Sequence, residues 1–379
     1  MEKIRLCLTG GTTGGHFFPL IFIAKQFKEE MIKRNWNYEI FYLGAPPFDK
    51  ELMSREGIEV YQIPAGKIRR YFHLMNFIDI FKFPIGLMVA LIRLYLLMPN
   101  VIFSKGGFGS LEVVIAGWLL RIPIIIHESD SVPGRSNRLA GKFATLIAVN
   151  FEEAKKFFNP KKTALIGQPL IPNFDEINVT HEDYLKFNLN PQEKIILVLG
   201  GSQGSQKINE VVIFSLNKLL KVAHVVHQLG RTMFNEYSQI ADGYILENVP
   251  ARKKYYHPVD FLDNYDLIKL MKMADLVIAR AGAGTIFELA ACGVPSILIP
   301  LRKEVGGEHQ IKNAYAYADS GAAIVIEEKN FFPDLLSTIV IKTLNDDKLL
   351  KEMRENALSF ARKEATEKIV KEILFLITK

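Results

Sequence analysis

The 379 residues exceed what one ordinary hydrophobic core organises, so two domains are expected. A hydrophobic fraction of 49% against 23% charged residues excludes disordered and fibrous classes. Cys7 and Cys292 lie far apart in apolar stretches. They make neither a disulfide framework nor a metal spacing, and read as buried thiols of a reducing compartment.

The chain opens on a short β run, IRLCLT at 4–9, and no signal-peptide h-region or cleavage site is read there. Gly10 to Pro19 (GGTTGGHFFP) follows, then an amphipathic helix to about Arg34 with Leu20, Ile23, Ala24, Phe27 and Met31 at helical spacing. Gly10 and Gly15 have the GxxxxG spacing of a P-loop, but His16-Phe17 stands where Lys-Ser/Thr is required. GxGxxG is absent as well, which disfavours an NAD-dependent dehydrogenase. His16 reads either as a first-turn residue or as a general base. A neutral imidazole beside a positive helix end has a lowered pKa and suits that work.

Strands are expected at Tyr38 to Leu43 and Val60 to Pro64. Between Gly66 and Lys105, six basic side chains (Lys67, Arg69, Arg70, Lys82, Arg93, Lys105) face Asp79 alone, so most of the net charge of +6 sits here. Among them runs the apolar stretch Phe77 to Met98, whose longest uncharged run is too short to span a bilayer of roughly 20 helical residues. Composition slightly favours a buried helix over a basic, apolar face lying on an anionic membrane. The charge lies beside apolar residues, which gives nucleic-acid binding little support.

Asn100 to Ser104 leads into a second glycine loop, Lys105 to Ser110 (KGGFGS), and a helix through Leu120. The strand Ile122 to His127 then delivers His127-Glu128-Ser129-Asp130 at its C-terminal end, the edge where parallel sheets bind ligands. Ser129 or Asp130 capping the next helix is the plain reading. Three polar clusters at strand ends (His16, Lys105 to Ser110, His127 to Asp130) converge on a site, with Glu128 as reserve base. Thr145 to Asn150 and Ala164 to Ile166 finish this domain, and 167–193, with three prolines, reads as a linker with a short helix.

Lys194 to Leu199 restarts the pattern, with GGSQGS at 200–205 and a helix to about Leu220. Strands follow at Val222 to Gln228 and Tyr255 to Phe261, then at Leu276 to Ala279, Ser296 to Pro300 and Ala322 to Ile326, before a helical tail from Asp346 to Lys379. The central stretch is Ala274 to Asn313: a strand, a glycine turn at Arg280 to Gly284, and a helix from Thr285 to Cys292 closed by Gly293. Such a turn offers backbone N–H groups and a positive dipole end to an anion such as a diphosphate. Thr285 and Glu288 have capping-box spacing, and Glu288 reads equally as a cap or as a carboxylate gripping two ribose hydroxyls. No metal-ligand cluster and no DxD is found, so a leaving diphosphate would rest on loop amides at Gly201 to Gly204 and near Gly284-Thr285. No cofactor is required; a divalent cation accompanying the diphosphate is compatible.

In combination, GGTTGGHFFP, KGGFGS, IIIHESD, GGSQGS and ARAGAGTIFE followed by HQIKNA resemble the MurG family of GT-B glycosyltransferases along nearly the whole chain. The resemblance implies an α/β fold of two Rossmann-like doubly wound domains facing across a cleft. Residues 1–166 would bind the acceptor and the membrane, with a C-terminal helix at about 360–379 packing back, 167–193 would link, and 194–359 would bind UDP-GlcNAc. It tips the basic apolar stretch toward an anionic inner-membrane surface and places the enzyme at the cytoplasmic side as a peripheral protein. The implied reaction is inverting transfer of N-acetylglucosamine from UDP-GlcNAc to the muramyl C4 hydroxyl of undecaprenyl-diphospho-MurNAc-pentapeptide, in peptidoglycan biosynthesis.

Carried over from the family, Thr13, Gly14, Gly15, Ser202, Gln203 and Gly204 would be diphosphate and sugar contacts. Leu262 resembles the position whose backbone reads uracil, and Ala283, Gly284, Thr285 and Glu288 resemble the ribose–diphosphate segment. Gln310 resembles the residue that holds sugar hydroxyls. Gly106, Gly107, Phe108, His127 and Asp130 would fall to the acceptor. The chain departs from the family pattern in an extra threonine in the first loop, in Phe108 for tyrosine and Asp130 for asparagine, in Ile171 where many members have arginine, and in two added residues near Glu304 to Glu308. Alternatives are a UDP-GlcNAc 2-epimerase of similar fold, which needs no lipid acceptor, a diacylglycerol glycosyltransferase, and a catalytically silent binding protein.

Overall fold

Runs of buried aliphatic residues, each leaving its strand through a turn into a helix, build two parallel sheets in a computed structural model of the chain. The structure describes residues 3–65, 75–107, 109–201, 204–305 and 307–378, with the backbone alone at 75–81 and 305.

The chain divides into two compact units, 1–172 with 362–379, and 173–361. The stretch 167–193 is thus shared between them, its first six residues going with the first unit.

The first unit runs β1 (Ile4–Thr9), α1 (Gly14–Lys33), β2 (Tyr38–Gly44), α2 (Lys50–Arg55), β3 (Glu59–Gln62) and α3 (Met75–Leu97). It continues with β4 (Val101–Ser104), α4 (Leu111–Leu119), β5 (Ile124–Glu128), α5 (Arg135–Phe143), β6 (Leu146–Val149) and β7 (Thr163–Leu165). The seven strands lie in the order β3-β2-β1-β4-β5-β6-β7, all parallel. Strand order reverses between β1 and β4, which pair from Leu6 opposite Val101 to Thr9 opposite Ser104. Both glycine loops of this unit therefore leave the sheet at its switch point, where open α/β sheets bind ligands.

The second unit holds α6 (His181–Lys186), β8 (Ile195–Leu199), α7 (Gln206–Ile213), α8 (Leu216–Leu219), β9 (His224–Gln228), α9 (Phe234–Asn248), β10 (Tyr256–Val259) and α10 (Asn264–Met273). Then come β11 (Leu276–Ala279), α11 (Ala283–Cys292), β12 (Ser296–Leu298), α12 (Glu308–Ala318), β13 (Ala323–Val325), α13 (Pro333–Leu344) and α14 (Asp347–Phe360). Its sheet order is β10-β9-β8-β11-β12-β13, again parallel, with the switch between β8 and β11. There too, the loops after the switch strands are the glycine-rich ones, 200–205 and 280–284.

Three expected helices differ in detail. The helix after GGSQGS breaks into α7 and α8 around Ser215, whose hydroxyl donates to Val211 O and turns the chain. The tail is two helices: Ala361 is extended (φ −61°, ψ 146°), α14 packs on α11, and α15 (Ala365–Thr378) returns to the first unit. There Ile369, Val370, Ile373 and Leu374 join the core formed with Phe27 and Leu20 of α1. The third difference, the start of α11, bears on the site below.

Candidate active site

In the first unit, α1 begins at Gly14 with Thr13 as its extended N-cap residue, and no side chain caps it. No acidic residue occupies its first turn, so its N–H groups and positive dipole end stay available to an anion. The Thr13 hydroxyl instead lies 3.1 Å from His16 Nδ1. Burial and the cation of Lys105 lower the His16 pKa to about 4, opposed by Asp130. His16 is thus a neutral imidazole at physiological pH.

The two glycine loops lie back to back. Gly10 has φ +103°, and a Cβ on it would stand 2.5 Å from Gly106 O; Gly106 has φ +78°, and a Cβ there would stand 2.2 Å from Asn137 Oδ1. Only glycine fits either position. Gly107 brings its own backbone up to His16, 3.5 Å from a Cβ position to Nδ1. Phe108 lies outside the described residues.

Glu128 is buried, and its carboxylate accepts from Asp130 N at 2.9 Å and from Asn137 Nδ2 at 2.9 Å. Burial pushes its pKa up to about 7, with Asp130 adding to the rise. His127 is fully buried: its Nε2 lies 2.9 Å from Gly167 O and its Nδ1 2.7 Å from Lys105 Nζ. It is held as a structural tautomer away from solvent. The helix after this segment, α5, is capped by Gly134, so neither Ser129 nor Asp130 serves as its cap.

In the second unit, α11 begins at Ala283 with Gly282 as N-cap residue. Thr285 is therefore inside the helix, and the capping-box reading of Thr285 and Glu288 does not hold. A glycine cap leaves no side-chain signal, which is why the sequence pattern misplaces the start by two residues. Like α1, this helix has no side-chain cap and no acidic first turn. A Cβ at Gly282 or Gly284 would meet nothing within 4 Å, and neither has a positive φ, so neither backbone geometry nor packing demands these glycines. They leave room for a ligand to approach the backbone.

Glu288 is half-buried, and burial raises its pKa to about 7. Among the described residues it makes no hydrogen bond or ion pair. Gln310 is half-buried near the start of α12; its Oε1 accepts from Leu301 N at 3.1 Å, which leaves the amide N–H groups to donate. Leu262 is buried just before Asp263, which caps α10 by accepting from Tyr265 N and Asp266 N. Gly204 has φ +82° and packs on Leu229 O. Ser202 and Gln203 lie outside the described residues.

Sequence reasoning missed Arg280, Ser205 and Gln228. Arg280 donates to Ser205 Oγ at 2.7 Å, to Ile299 O at 3.1 Å and to Glu328 Oε1 at 2.8 Å, tying the ends of β11 and β12 to the loop after β8. Gln228 Nε2 donates to Gly201 O at 3.2 Å. Arg280 stood in the ARAGAGT motif, and its place one residue after a strand end was the available signal.

On α3, Ile85, Met88, Ile92, Tyr95 and Leu96 form an exposed apolar stripe at helical spacing, next to exposed Arg93. No helix among the described residues is long and apolar enough to cross a membrane. One sequence expectation changes here: Lys105 is fully buried and leaves the basic face; Leu87, within the apolar stretch, packs inward against the core. Lys67, Arg69 and Arg70 lie outside the described residues. No group of His, Cys, Asp or Glu among the described residues could hold a metal ion.

Residues 6–149 match the Glycosyltransferase family 28 N-terminal domain, and residues 195–372 match the Glycosyltransferase family 28 C-terminal domain. The chain is 36% identical over 364 residues to the UDP-N-acetylglucosamine--N-acetylmuramyl-(pentapeptide) pyrophosphoryl-undecaprenol N-acetylglucosamine transferase of Clostridium perfringens, covering 96% of this chain and 95% of that protein. The crystal structure of Acinetobacter baumannii MurG superposes with a TM-score of 0.74 at 25% identity, covering 98% and 99% of the two chains. UDP-GlcNAc 2-epimerase from Neisseria meningitidis, bound to UDP-GlcNAc, shares the fold alone, with a TM-score of 0.67 at 13% identity over 98% and 100% of the chains. With both domain matches and a full-length relative, the chain belongs to glycosyltransferase family 28 and, within it, to the MurG family.

Proposed function

We propose that the protein transfers N-acetylglucosamine from UDP-GlcNAc to the C4 hydroxyl of a polyprenyl-diphosphate-linked muramyl-pentapeptide, in peptidoglycan biosynthesis. The observation that carries the assignment to particular residues is the start of α11. An uncapped helix N-terminus, ligand-accessible glycines and a half-buried Glu288 without a partner among the described residues meet there in a chain that matches both family domains.

On this reading the second unit holds the donor. The ribose hydroxyls donate to Glu288, and the diphosphate rests on the α11 amides at Ala283, Gly284 and Thr285 and on the loop ending at Gly204. The Leu262 backbone meets the uracil, and the Gln310 amide meets the sugar. The first unit supplies Thr13, Gly14 and Gly15 toward the diphosphate, and the loops at Gly106-Gly107 and Asp130 toward the acceptor.

His16 takes the proton of the muramyl hydroxyl as its oxygen attacks the anomeric carbon. The bond from that carbon to the diphosphate breaks in the same step, UDP departs with the electron pair, and the configuration inverts. Helix N-termini stabilise the charge that develops on the leaving group, without reorganisation during the reaction. For His16 Nε2 to accept the proton, Nδ1 must carry the other one and donate it to Thr13 Oγ1, which its 3.1 Å separation permits. Glu128 is less suited, since both carboxylate oxygens are already engaged.

We further propose that the α3 stripe seats the enzyme peripherally on an anionic membrane surface at the cytoplasmic side, where a polyprenyl acceptor is held. Incubation with radiolabelled UDP-GlcNAc and a polyprenyl-diphospho-muramyl-pentapeptide tests the reading. Label should move to the organic-soluble lipid; label that stays water-soluble would contradict it.

A further inference from the structure

The buried lysine of the second glycine loop has no part in the chemistry above, yet it sits at the centre of the first unit's polar interior. Lys105 Nζ lies 2.7 Å from His127 Nδ1 and 3.3 Å from Gln168 Oε1, and it also donates to Ser129 Oγ. These are three acceptors for the three N–H groups of an ammonium. A neutral amine would turn its lone pair on one of them. The network continues outward: Gln168 Oε1 also accepts from Asn150 Nδ2 at 2.8 Å, and His127 Nε2 donates to Gly167 O at 2.9 Å. Every side chain named here is buried.

Burying a lysine is costly. Desolvation lowers its pKa to about 7, and Glu128 and Asp130 restore part of the loss. An apolar side chain would fill the space at lower cost, so the charge calls for a use beyond packing. The three acceptors lie on two segments: His127 and Ser129 belong to the HESD segment at the C-terminal end of β5, and Gln168 follows the last strand of the sheet. Lys105 itself opens the loop whose Gly107 faces His16. One cation thus clamps the loop beside the proposed base to the segment carrying Glu128 and Asp130. The ionisable groups that face it are His127 and Glu128 on β5, Asp130 just beyond, and His16 on α1.

We infer that Lys105 is a positioning residue for transfer: its buried ammonium, donating to His127 Nδ1, Ser129 Oγ and Gln168 Oε1, clamps the second glycine loop to the HESD segment and holds that segment in register beside His16. The inference rests on the proposed function only for the word transfer; the effects on His127 and His16 exist without substrate.

The test is two-dimensional NMR of protein labelled with nitrogen-15 histidine, across pH, for the wild type, Lys105→Met and the milder Ser129→Ala and Gln168→Ala. Steady-state kinetics accompany it. In the wild type, His127 should show the Nε2–H tautomer throughout, and His16 should titrate near its lowered value of about 4. In Lys105→Met the His127 Nδ1 resonance should shift as it loses its donor, with Nε2–H still held by Gly167 O, and the His16 midpoint should rise by about half a pH unit. Turnover should fall about tenfold or more, with KM for UDP-GlcNAc held within about twofold, and its acidic limb should move to higher pH. The two milder variants should change the same signals in the same direction, by less. They keep the inference testable if Lys105→Met does not fold.

Unmoved His16 and His127 signals in folded variants would overturn the inference, as would lost turnover that merely tracks lost thermal stability. A wild type with the expected histidine signals but no sugar transfer would instead refute the transferase reading and leave Lys105 in its place.

Discussion

Thr13 holds the N-cap position of α1, yet its hydroxyl contacts His16 Nδ1 at 3.1 Å and makes no capping bond. A threonine at this position ordinarily stabilises its helix by about 1 kcal/mol through a side-chain cap. Here the group is turned to the imidazole. His16→Ala should lower turnover about 10²–10⁴-fold with little change in KM for UDP-GlcNAc. Thr13→Ser should keep most of the activity, whereas Thr13→Val removes the acceptor for Nδ1–H and should cost about tenfold. Equal activity in the serine and valine variants would show that this contact does not orient the ring.

Glu288 ties function to stability. Its folded pKa is raised from 4.5 to about 7 by burial, so between those values the native state binds more protons than the unfolded chain. The stabilising contribution of the protonated form is fully present below the unfolded pKa and disappears as pH rises through about 7. Glu288→Gln should therefore raise the melting temperature at pH 8 and leave it nearly unchanged at pH 4. The gain should be on the order of 1–3 kcal/mol. The same change should weaken UDP binding in calorimetry, because glutamine offers one weaker acceptor to the ribose. Tighter UDP binding by the glutamine variant would refute the ribose assignment.

Gly106 combines a φ of +78° with a Cβ position 2.2 Å from Asn137 Oδ1, and Asn137 in turn donates to the Glu128 carboxylate. Gly106→Ala should cost about 1–3 kcal/mol of stability from backbone strain, with further loss as Asn137 is displaced. Thermal denaturation reads the first effect and turnover the second. Gly15→Ala makes the control: a Cβ there meets nothing within 4 Å, so stability should hold while substrate handling suffers.

Met88 and Ile92 stand 59% and 52% exposed on α3, four residues apart on one helix face. The double variant Met88→Glu, Ile92→Glu should fold normally and lose co-sedimentation with vesicles containing anionic lipid. It should retain UDP binding, since it leaves the second unit untouched. Undiminished co-sedimentation would remove α3 from the membrane contact.

Much of the fold was legible because parallel strands buried on both faces read as short apolar runs, such as IILVL at 195–199 and LVIA at 276–279. The glycine loops that follow them mark the switch points, so the candidate site was legible as well. Illegible features were those settled by tertiary contact. Lys105 reads in sequence both as a cation of the basic stretch and as the start of a polar cluster at a strand end, and only the convergence of His127, Ser129 and Gln168 shows it drawn inside. The start of α11 was missed because Gly282 caps without a side chain, and the break at Ala361 because an alanine in extended backbone carries no glycine or proline signal. Leu87 and Ile85 are equally apolar, and only packing on the first-unit core tells which one faces outward.

The most direct test of the central claim is UDP release from UDP-GlcNAc, measured with and without a polyprenyl-diphospho-muramyl-pentapeptide. The account predicts release that depends on the acceptor and collapses in His16→Ala. UDP released at the same rate without acceptor would point to an epimerase-like reaction at the donor site, and would contradict it.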